Sequence, residues 1–444
     1  MSDLFIIGAS GTKAYRTAMA AISENISNAS SPGYARRSAT TAESGASTAT
    51  MATYVSNANF GGTQVMSINR ATDPYLDSTV RSTGMALGSA SARLRWLTDT
   101  ETALNDTGTG IGQLMAGMYQ NMEKLAASPN DKSLRVTTID SISRVTQAFN
   151  QTAGDLQTVS TGIATEARSS VERINESLSA LADINNSLLR ARPGTSAYAQ
   201  LLDSRDSALA ELSENLNVTI NFGAHDSAEI TYGGQTLVTG NTATSVAVST
   251  NANGTLSFSL ADGTALGAPG SGKLGGYFSA ASTVADRRAD LDALAAKFVT
   301  DLNAWHAQGR TDAGVAGSAL VSGTTAATLA TLITDPADLA TRSADGTLNG
   351  NLLTVTSTLR GNGSVEQGWT SIITMHANLL ASTKAESDTA TSRNDQAVAA
   401  REAVSGVDLD MEAADLLRIQ QAYSASAKII QVAKDVVDSI LRIS

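Results

Sequence analysis

Between Pro129 and Pro193 the chain runs without proline, and its apolar residues recur every three or four positions. Ile142, Val145, Phe149, Thr152, Leu156, Val159 and Ile163 form a heptad seam. Ala167, Val171, Ile174, Leu178 and Leu181 carry it on after a four-four step, a stutter. A helix from about 132 to 191 is roughly 90 Å long at about 1.5 Å per residue. Such a rod exposes an apolar stripe along its whole length, so the fold must supply other long helices to cover it.

The two ends carry the same kind of pattern. Leu4, Ile7, Tyr15, Ile22 and Ile26 fall on one face of a helix running from Leu4 to about Asn28. At the other end Leu409, Leu416, Tyr423, Ile430 and Val437 are spaced seven apart, and Ile419 and Ile440 fill the intervening positions. Ala422, Ile429, Val436 and Ile443 widen this stripe beyond what one partner helix covers. Ser405-Gly406-Val407 breaks the chain ahead of the last helix, and Asp408 is placed to cap it. The first helix stops at Ser31-Pro32-Gly33-Tyr34, where Pro32 and Gly33 suit the centre of a type II turn. Closure of the two ends on each other inside an ordinary bundle is one reading. The unused width of the C-terminal stripe favours the other, a surface for assembly.

Between the ends, Asp73-Pro74 opens a helix to about Leu104, and a second runs from about Ile111 to Ala127. After Pro193-Gly194 a shorter helix carries Leu201 to Leu216. Residues 217–276 hold only four charged side chains and alternate apolar with polar, as in Val218-Thr-Ile-Asn-Phe222, with Asn-Gly and Asp-Gly pairs at 253–254 and 262–263. That is the pattern of small antiparallel sheets. Helix resumes from about Tyr277 to His306, and again from about Leu348 to Val404. The expected fold is mainly α with an inserted small β domain: N- and C-terminal helices paired as a coiled coil, a long-helix bundle and an outer antiparallel β domain. The expected division is 1–35 with 405–444 as a terminal coiled-coil assembly domain, 36–216 with 277–308 and 348–404 as the helix bundle, and 217–276 with 309–347 as the β domain.

Little in the chain points to chemistry. With 31 basic against 42 acidic residues and a net charge of −11 it lacks the basic clusters that phosphate backbones demand. Cysteine is absent, which removes disulfides and thiolate sites. His225, His306 and His376 stand apart with no metal-ligand spacing, and are read as surface or satisfied side chains. Gly270-Ser-Gly-Lys-Leu-Gly-Gly276 fails the phosphate-loop pattern because Leu274 follows the lysine. Asp410, Glu412 and Asp415 read as a charged first turn on a solvated helix face. No catalytic, cofactor or metal residue is assigned, and no enzyme is expected. The opening residues lack a basic segment and a long apolar run, so no cleavable secretory signal is expected either.

Two segments resemble a known family. Ile26-Ser-Asn-Ala-Ser-Ser-Pro-Gly-Tyr-Ala-Arg36 is similar to the segment near the start of flagellar rod, hook and hook-associated proteins. Leu417-Arg-Ile-Gln-Gln-Ala-Tyr-Ser-Ala-Ser-Ala-Lys-Ile-Ile430 resembles their C-terminal motif. Residues 125–135, Leu201-Leu-Asp-Ser-Arg-Asp206, Gly275-Gly276 and Ser405-Gly-Val-Asp-Leu409 resemble the hook-associated members that join hook to filament. The resemblance implies a structural subunit of the flagellum, exported by the flagellar type III system without a cleaved signal and located outside the cell. It implies a ring of subunits set between the hook protein FlgE and the second junction protein FlgL, with the export chaperone FlgN on the C-terminal helix. No cofactor, nucleic acid or membrane enters that picture. Its assembly residues would be Leu4, Ile7, Tyr15, Ile22, Ile26, Pro32, Gly33, Tyr34, Leu409, Leu416, Ile419, Tyr423, Ile430, Val437 and Ile440. Another axial position, hook or filament, is an alternative; so is a secreted enzyme or adhesin on axial termini, with its activity in 217–347.

Overall fold

The computed structural model describes residues 2–31, 33–43, 61–105 and 107–442. Pro32, Ile443 and the middle of the connector expected over 36–70 lie outside the described residues.

The chain opens with α1 (Ser2–Ser27). The connector folds into an antiparallel hairpin of β1 (Arg37–Glu43) and β2 (Thr63–Arg70), with Arg37 opposite Arg70, Glu43 opposite Thr63 and a bulge between Thr40 and Thr41. Asp73 starts α2 (Pro74–Leu104) as its sequence position requires, its Oδ1 accepting the Tyr75 N–H at 2.8 Å. There follow α3 (Ile111–Ala127), α4 (Lys132–Leu188) and α5 (Ser196–Asn215), the last capped by Thr195, whose side chain accepts the Tyr198 N–H.

Strands β3 (Thr219–Phe222), β4 (Ala228–Tyr232), β5 (Gln235–Thr239) and β6 (Thr242–Ala243) form a four-stranded antiparallel meander. Strands β7 (Val246–Thr250), β8 (Leu256–Leu260) and β9 (Ala265–Leu266) form a separate three-stranded one. The remainder is α6 (Gly272–Gln308), a short pair β10 (Val321–Ser322) and β11 (Ala330–Thr331), then α7 (Val355–Leu359), α8 (Val365–Ser405) and α9 (Leu409–Leu441). The fold is mainly α with inserted antiparallel β structure and a long helix at each end.

Two compact units are present. One comprises Met1–Met85, Arg173–Ser245 and Thr391–Ser444; the other comprises Ala86–Glu172 and Val246–Ala390. Every residue of the α4 seam is buried, from Ile142 and Phe149 at 0% exposure to Val159 at 8%. In the second unit Phe149 stacks on Phe298 at 5.7 Å between ring centroids, and Trp305 and Trp369 are fully enclosed.

Two boundaries differ from the pattern-based reading, each for a local reason. Helix α6 starts five residues before Tyr277, so Gly275 and Gly276 lie inside a helix although glycine is a poor helix former. A Cβ on Gly276 would sit 2.4 Å from the Ser89 carbonyl oxygen, so this glycine lets α6 approach the backbone of α2. The helix expected from about Leu348 is complete only from Val365, because Gly363 (φ +74°) turns the chain between α7 and α8.

Candidate assembly interface

Helices α1 and α9 lie antiparallel in the first unit. Gly8 meets Ile430, Gly11 meets Ser426, and Asn25 meets Glu412. A Cβ on Gly8 would fall 2.6 Å from Ile430 Cγ1, and one on Gly11 would fall 2.7 Å from Ser426 Oγ. Two glycines three residues apart therefore let the α9 side chains sit directly on the α1 backbone.

The face of α1 turned from α9 is not bare. Its Ser10 Oγ accepts the Thr63 N–H at 3.1 Å, and Gly62 lies against Ile7 and Ser10, which brings the β1–β2 hairpin onto α1. Helix α9 has no such cover among the described residues of its outer shoulder. Val432, Val436 and Ile440 follow one another in steps of four along that shoulder at 56, 38 and 48% exposure, and Met411 is exposed separately in the first turn of the helix.

The expected interface residues divide accordingly. Ile22 is buried, Ile7 and Tyr15 are half-buried, and Leu4 and Ile26 are exposed. Leu416, Ile419, Tyr423, Ile430 and Val437 are half-buried along one stripe of α9 with the buried Ser426 and Ala433. Leu409 and Ile440 stay in solvent. Gly33 has φ +80°, a conformation that suits glycine, and the Tyr34 N–H donates to the Ser31 carbonyl at 3.2 Å, closing the expected turn.

Beneath that turn lies a polar cluster that pattern reading missed. Asn25 is fully buried. Its side-chain oxygen accepts the Arg37 N–H at 2.8 Å and the Tyr34 hydroxyl at 2.9 Å, and its amide donates to the Arg37 carbonyl at 2.8 Å and to Glu412 Oε2 at 3.0 Å. Glu412 is also fully buried, and Arg36 Nε reaches its Oε1 at 2.6 Å. The reading of Asp410, Glu412 and Asp415 as one solvated face is thereby corrected. Asp410 is exposed and Asp415 half-buried, but Glu412 points into the helix contact because it occupies the seam position seven residues before Ile419. A carboxylate at a seam position was the available signal.

The cluster extends into a ladder of ion pairs. Arg37 pairs with Glu24 at 2.7 Å and with Asp203, and it lies over the Tyr34 ring at 5.1 Å. Arg70 bridges Asp203 and Asp206, both at 2.7 Å, and Arg205 joins Asp206 at 2.6 Å and donates to the Asp226 carbonyl at 2.7 Å. The Leu201–Asp206 run thus ties both ends of the hairpin to α5. Burial pushes the Tyr34 hydroxyl up to about 12. Burial also works against the Glu24 charge, but hydrogen bonds from Gln200 and Arg37 outweigh it and hold the carboxyl below its ordinary value.

On the other side of the turn, Arg36 N–H donates to the Ser405 carbonyl at 2.9 Å and Arg401 Nη2 to the Gly33 carbonyl at 3.0 Å. The resulting cleft of about 930 Å³ is walled by the turn and the 401–408 break.

Two of the three histidines are held by backbone groups. His306 is fully buried; its Nδ1 meets the Ser318 carbonyl at 2.5 Å and its Nε2 accepts the Ala340 N–H at 2.8 Å, which fixes one neutral tautomer. His376 donates from Nε2 to the Leu97 carbonyl at 2.9 Å. His225 sits in the turn joining β3 and β4 with φ +55°. Among the described residues no cluster of three or more His, Asp or Glu is placed to hold a metal ion, and no helix is long and apolar enough to cross a membrane.

The chain resembles known proteins over most of its length. A family model described as the flagellar hook-associated protein FlgK helical domain matches residues 97–321, half of the chain. A model of the flagellar basal body rod FlgEFG protein C-terminal region matches residues 402–443. Flagellar hook-associated protein 1 of Bacillus subtilis is 24% identical over 96% of this chain and 95% of its own length. The Escherichia coli protein of the same name is 26% identical over 71% of this chain and 59% of its own. The Salmonella typhimurium protein is 24% identical over 56% and 44%. The chain thus spans nearly all of the Bacillus relative but only about half of the other two. The flagellar hook junction protein FlgK from Burkholderia pseudomallei shares the fold, with a TM-score of 0.50 and 22% identity over 55% of this chain and 46% of that one. With terminal helices paired around a Ser-Pro-Gly-Tyr turn and a helical-domain match across half its length, the chain belongs to the flagellar hook-associated protein FlgK family, structural components of the hook–filament junction.

Proposed function

We propose that the α1–α9 pair, with the turn at 31–34, is the surface through which this subunit assembles with copies of itself and with its axial neighbours. One observation carries this reading: the outer shoulder of α9, with Val432, Val436 and Ile440 in solvent. Contiguous apolar side chains on a helix that already has one partner are expected to be covered by another. The assembly residues are then those expected from the sequence, Pro32 included, with Glu412 and Asn25 added as the pair that fixes how the two helices meet. Family membership supports taking the hook protein FlgE as the neighbour on one side and the second junction protein FlgL as the neighbour on the other. Residues 1–35 and 405–444 act as the assembly layer, the long helices as the layer beyond it, and the β structure as the outward part. Before assembly the exposed stripe needs masking, which is the role assigned to the chaperone FlgN on residues 409–443. Type III export without cleavage of the N-terminus completes the reading.

A deletion strain tests it. Hooks are expected to form without filaments, with flagellin lost to the medium, and the wild-type gene is expected to restore filaments while Val436→Asp does not. Full restoration by Val436→Asp overturns the role of the α9 shoulder.

A further inference from the structure

In the second unit, α4 passes the turn that joins β7 to β8, leaving a notch of about 170 Å³. Ser160, Thr161 and Arg168 of α4, Asn251 and Gly254 of the turn, and Arg288 of α6 line it. Arg168 and Arg288 both border the opening, and among the described residues neither has an ion pair or a hydrogen bond. Each has a carboxylate one helical turn along, Glu172 and Asp292, which does not engage it; Asp292 accepts the Ala326 N–H at 2.8 Å instead. Ser160 is only 4% exposed, and its hydroxyl also lacks a hydrogen-bond partner among the described residues. Its oxygen opens into the notch, where an entering acceptor can reach it.

The backbone of the turn brings these groups together. Gly254 has φ +91°, and a Cβ there would lie 2.8 Å from Ser160 Oγ and 3.0 Å from Arg288 Nη1. The hydroxyl and one guanidinium nitrogen therefore converge on a spot that glycine keeps clear. Two guanidinium forks and a hydroxyl offer only donors to whatever enters, apart from the hydroxyl's own lone pairs. We infer that this notch is an oxyanion-binding site, built for a group with carboxylate chemistry.

Guanidinium recognises carboxylate bidentately, and a small notch excludes anything bulkier than the anionic head of a larger group. Two sources share this chemistry: a dissolved oxyanion, and an Asp or Glu side chain presented by a second copy of the chain. The second is favoured by charge, because copies of a chain of net charge −11 repel one another and an arginine facing a neighbour's carboxylate offsets part of that repulsion.

Calorimetric titration of the full-length chain with sodium sulfate, against sodium chloride at matched ionic strength, tests the site. The Arg168→Gln/Arg288→Gln double variant is expected to bind sulfate at least about tenfold more weakly, the loss of one charge-assisted hydrogen bond. Ser160→Ala is expected to weaken it by less. Far-ultraviolet circular dichroism checks that each variant is folded, and Arg288→Lys, which keeps the charge and loses the fork, is expected to fall between. Identical sulfate titrations of wild type and double variant overturn the proposal. Sedimentation of the same proteins at low salt then separates the sources. Self-association weakened both by the double variant and by added sulfate identifies a second copy as the carboxylate donor. Sulfate binding lost in the double variant with self-association unchanged identifies a dissolved anion.

Discussion

Helices α4 and α9 are written in the same heptad script and end in opposite conditions. On α4 the seam from Ile142 to Leu181 is sealed, with no member more than 8% exposed. On α9 the equivalent stripe is half-buried against α1, and a second row, Val432 to Ile440, faces water. Periodicity states that a helix has a face to cover; it does not state whether the cover comes from the same chain. On α4 the covering helices are encoded alongside. On α9 only one is, and that one is itself covered by a hairpin.

The comparison breaks first if the α4 seam proves dispensable. Phe149→Ala removes a fully buried ring stacked on Phe298, and is expected to cost about 3–5 kcal/mol in urea unfolding of the isolated chain. A loss below about 1 kcal/mol would show that this seam is not a packed core.

Glu412 sharpens the contrast, because it is a fully buried charge inside the α1–α9 contact. Glu412→Ala removes a partner from both Arg36 and Asn25. Since Arg36 keeps some solvent access, the expected loss is about 1–3 kcal/mol, below the cost of stranding a fully buried charge. The Arg36→Met/Glu412→Leu double variant is expected to recover most of that stability. If it recovers stability and still assembles with correct geometry, the ion pair does not set the helix register; mispaired or irregular assembly would show that it does.

Much of this was legible beforehand. Seam residues, caps at Asp73 and Asp408 and the turn at Gly33 follow from local rules of spacing and backbone conformation, so helices and their order could be read directly. The ladder from Glu24 through Arg37, Asp203, Arg70, Asp206 and Arg205 could not, because its members lie far apart in sequence and each looks like an ordinary surface charge. Glu412 was legible in principle from its heptad position, yet clustering with Asp410 and Asp415 gave the stronger and misleading cue. Gly275 and Gly276 misled for a related reason: their purpose is to admit a neighbouring backbone, which no single-helix rule contains.

The second unit carries a pH dependence that the terminal pair does not share. Burial holds His306 and His376 below the ordinary imidazole value of 6.5, with backbone hydrogen bonds only partly offsetting it. Both groups are depressed, so the unfolded chain takes up protons first as pH falls. Their contribution is complete above about 6.5 and is lost as pH drops toward the folded-state values. Urea midpoints monitored in the second unit are expected to fall between pH 7.5 and 5.5, and His306→Asn is expected to flatten that fall. An equal slope in the variant would remove His306 from the account.

The smallest effect on the isolated chain is also the one that separates the two helices most cleanly. Val436 lies on α9 at 38% exposure, so Val436→Ser takes little apolar area out of a folded environment. Its effect on the unfolding of dilute protein is expected to stay within about 0.5 kcal/mol, as for surface positions in general. If the proposed assembly covers the same methyl groups, each subunit contact repeats the loss, so the concentration needed for polymerisation is expected to rise while dilute stability holds. A substitution on the α4 seam does the reverse, lowering stability at every concentration. If Val436→Ser lowers dilute stability by more than about 1 kcal/mol, its side chain is part of the monomer core and α9 is covered from within.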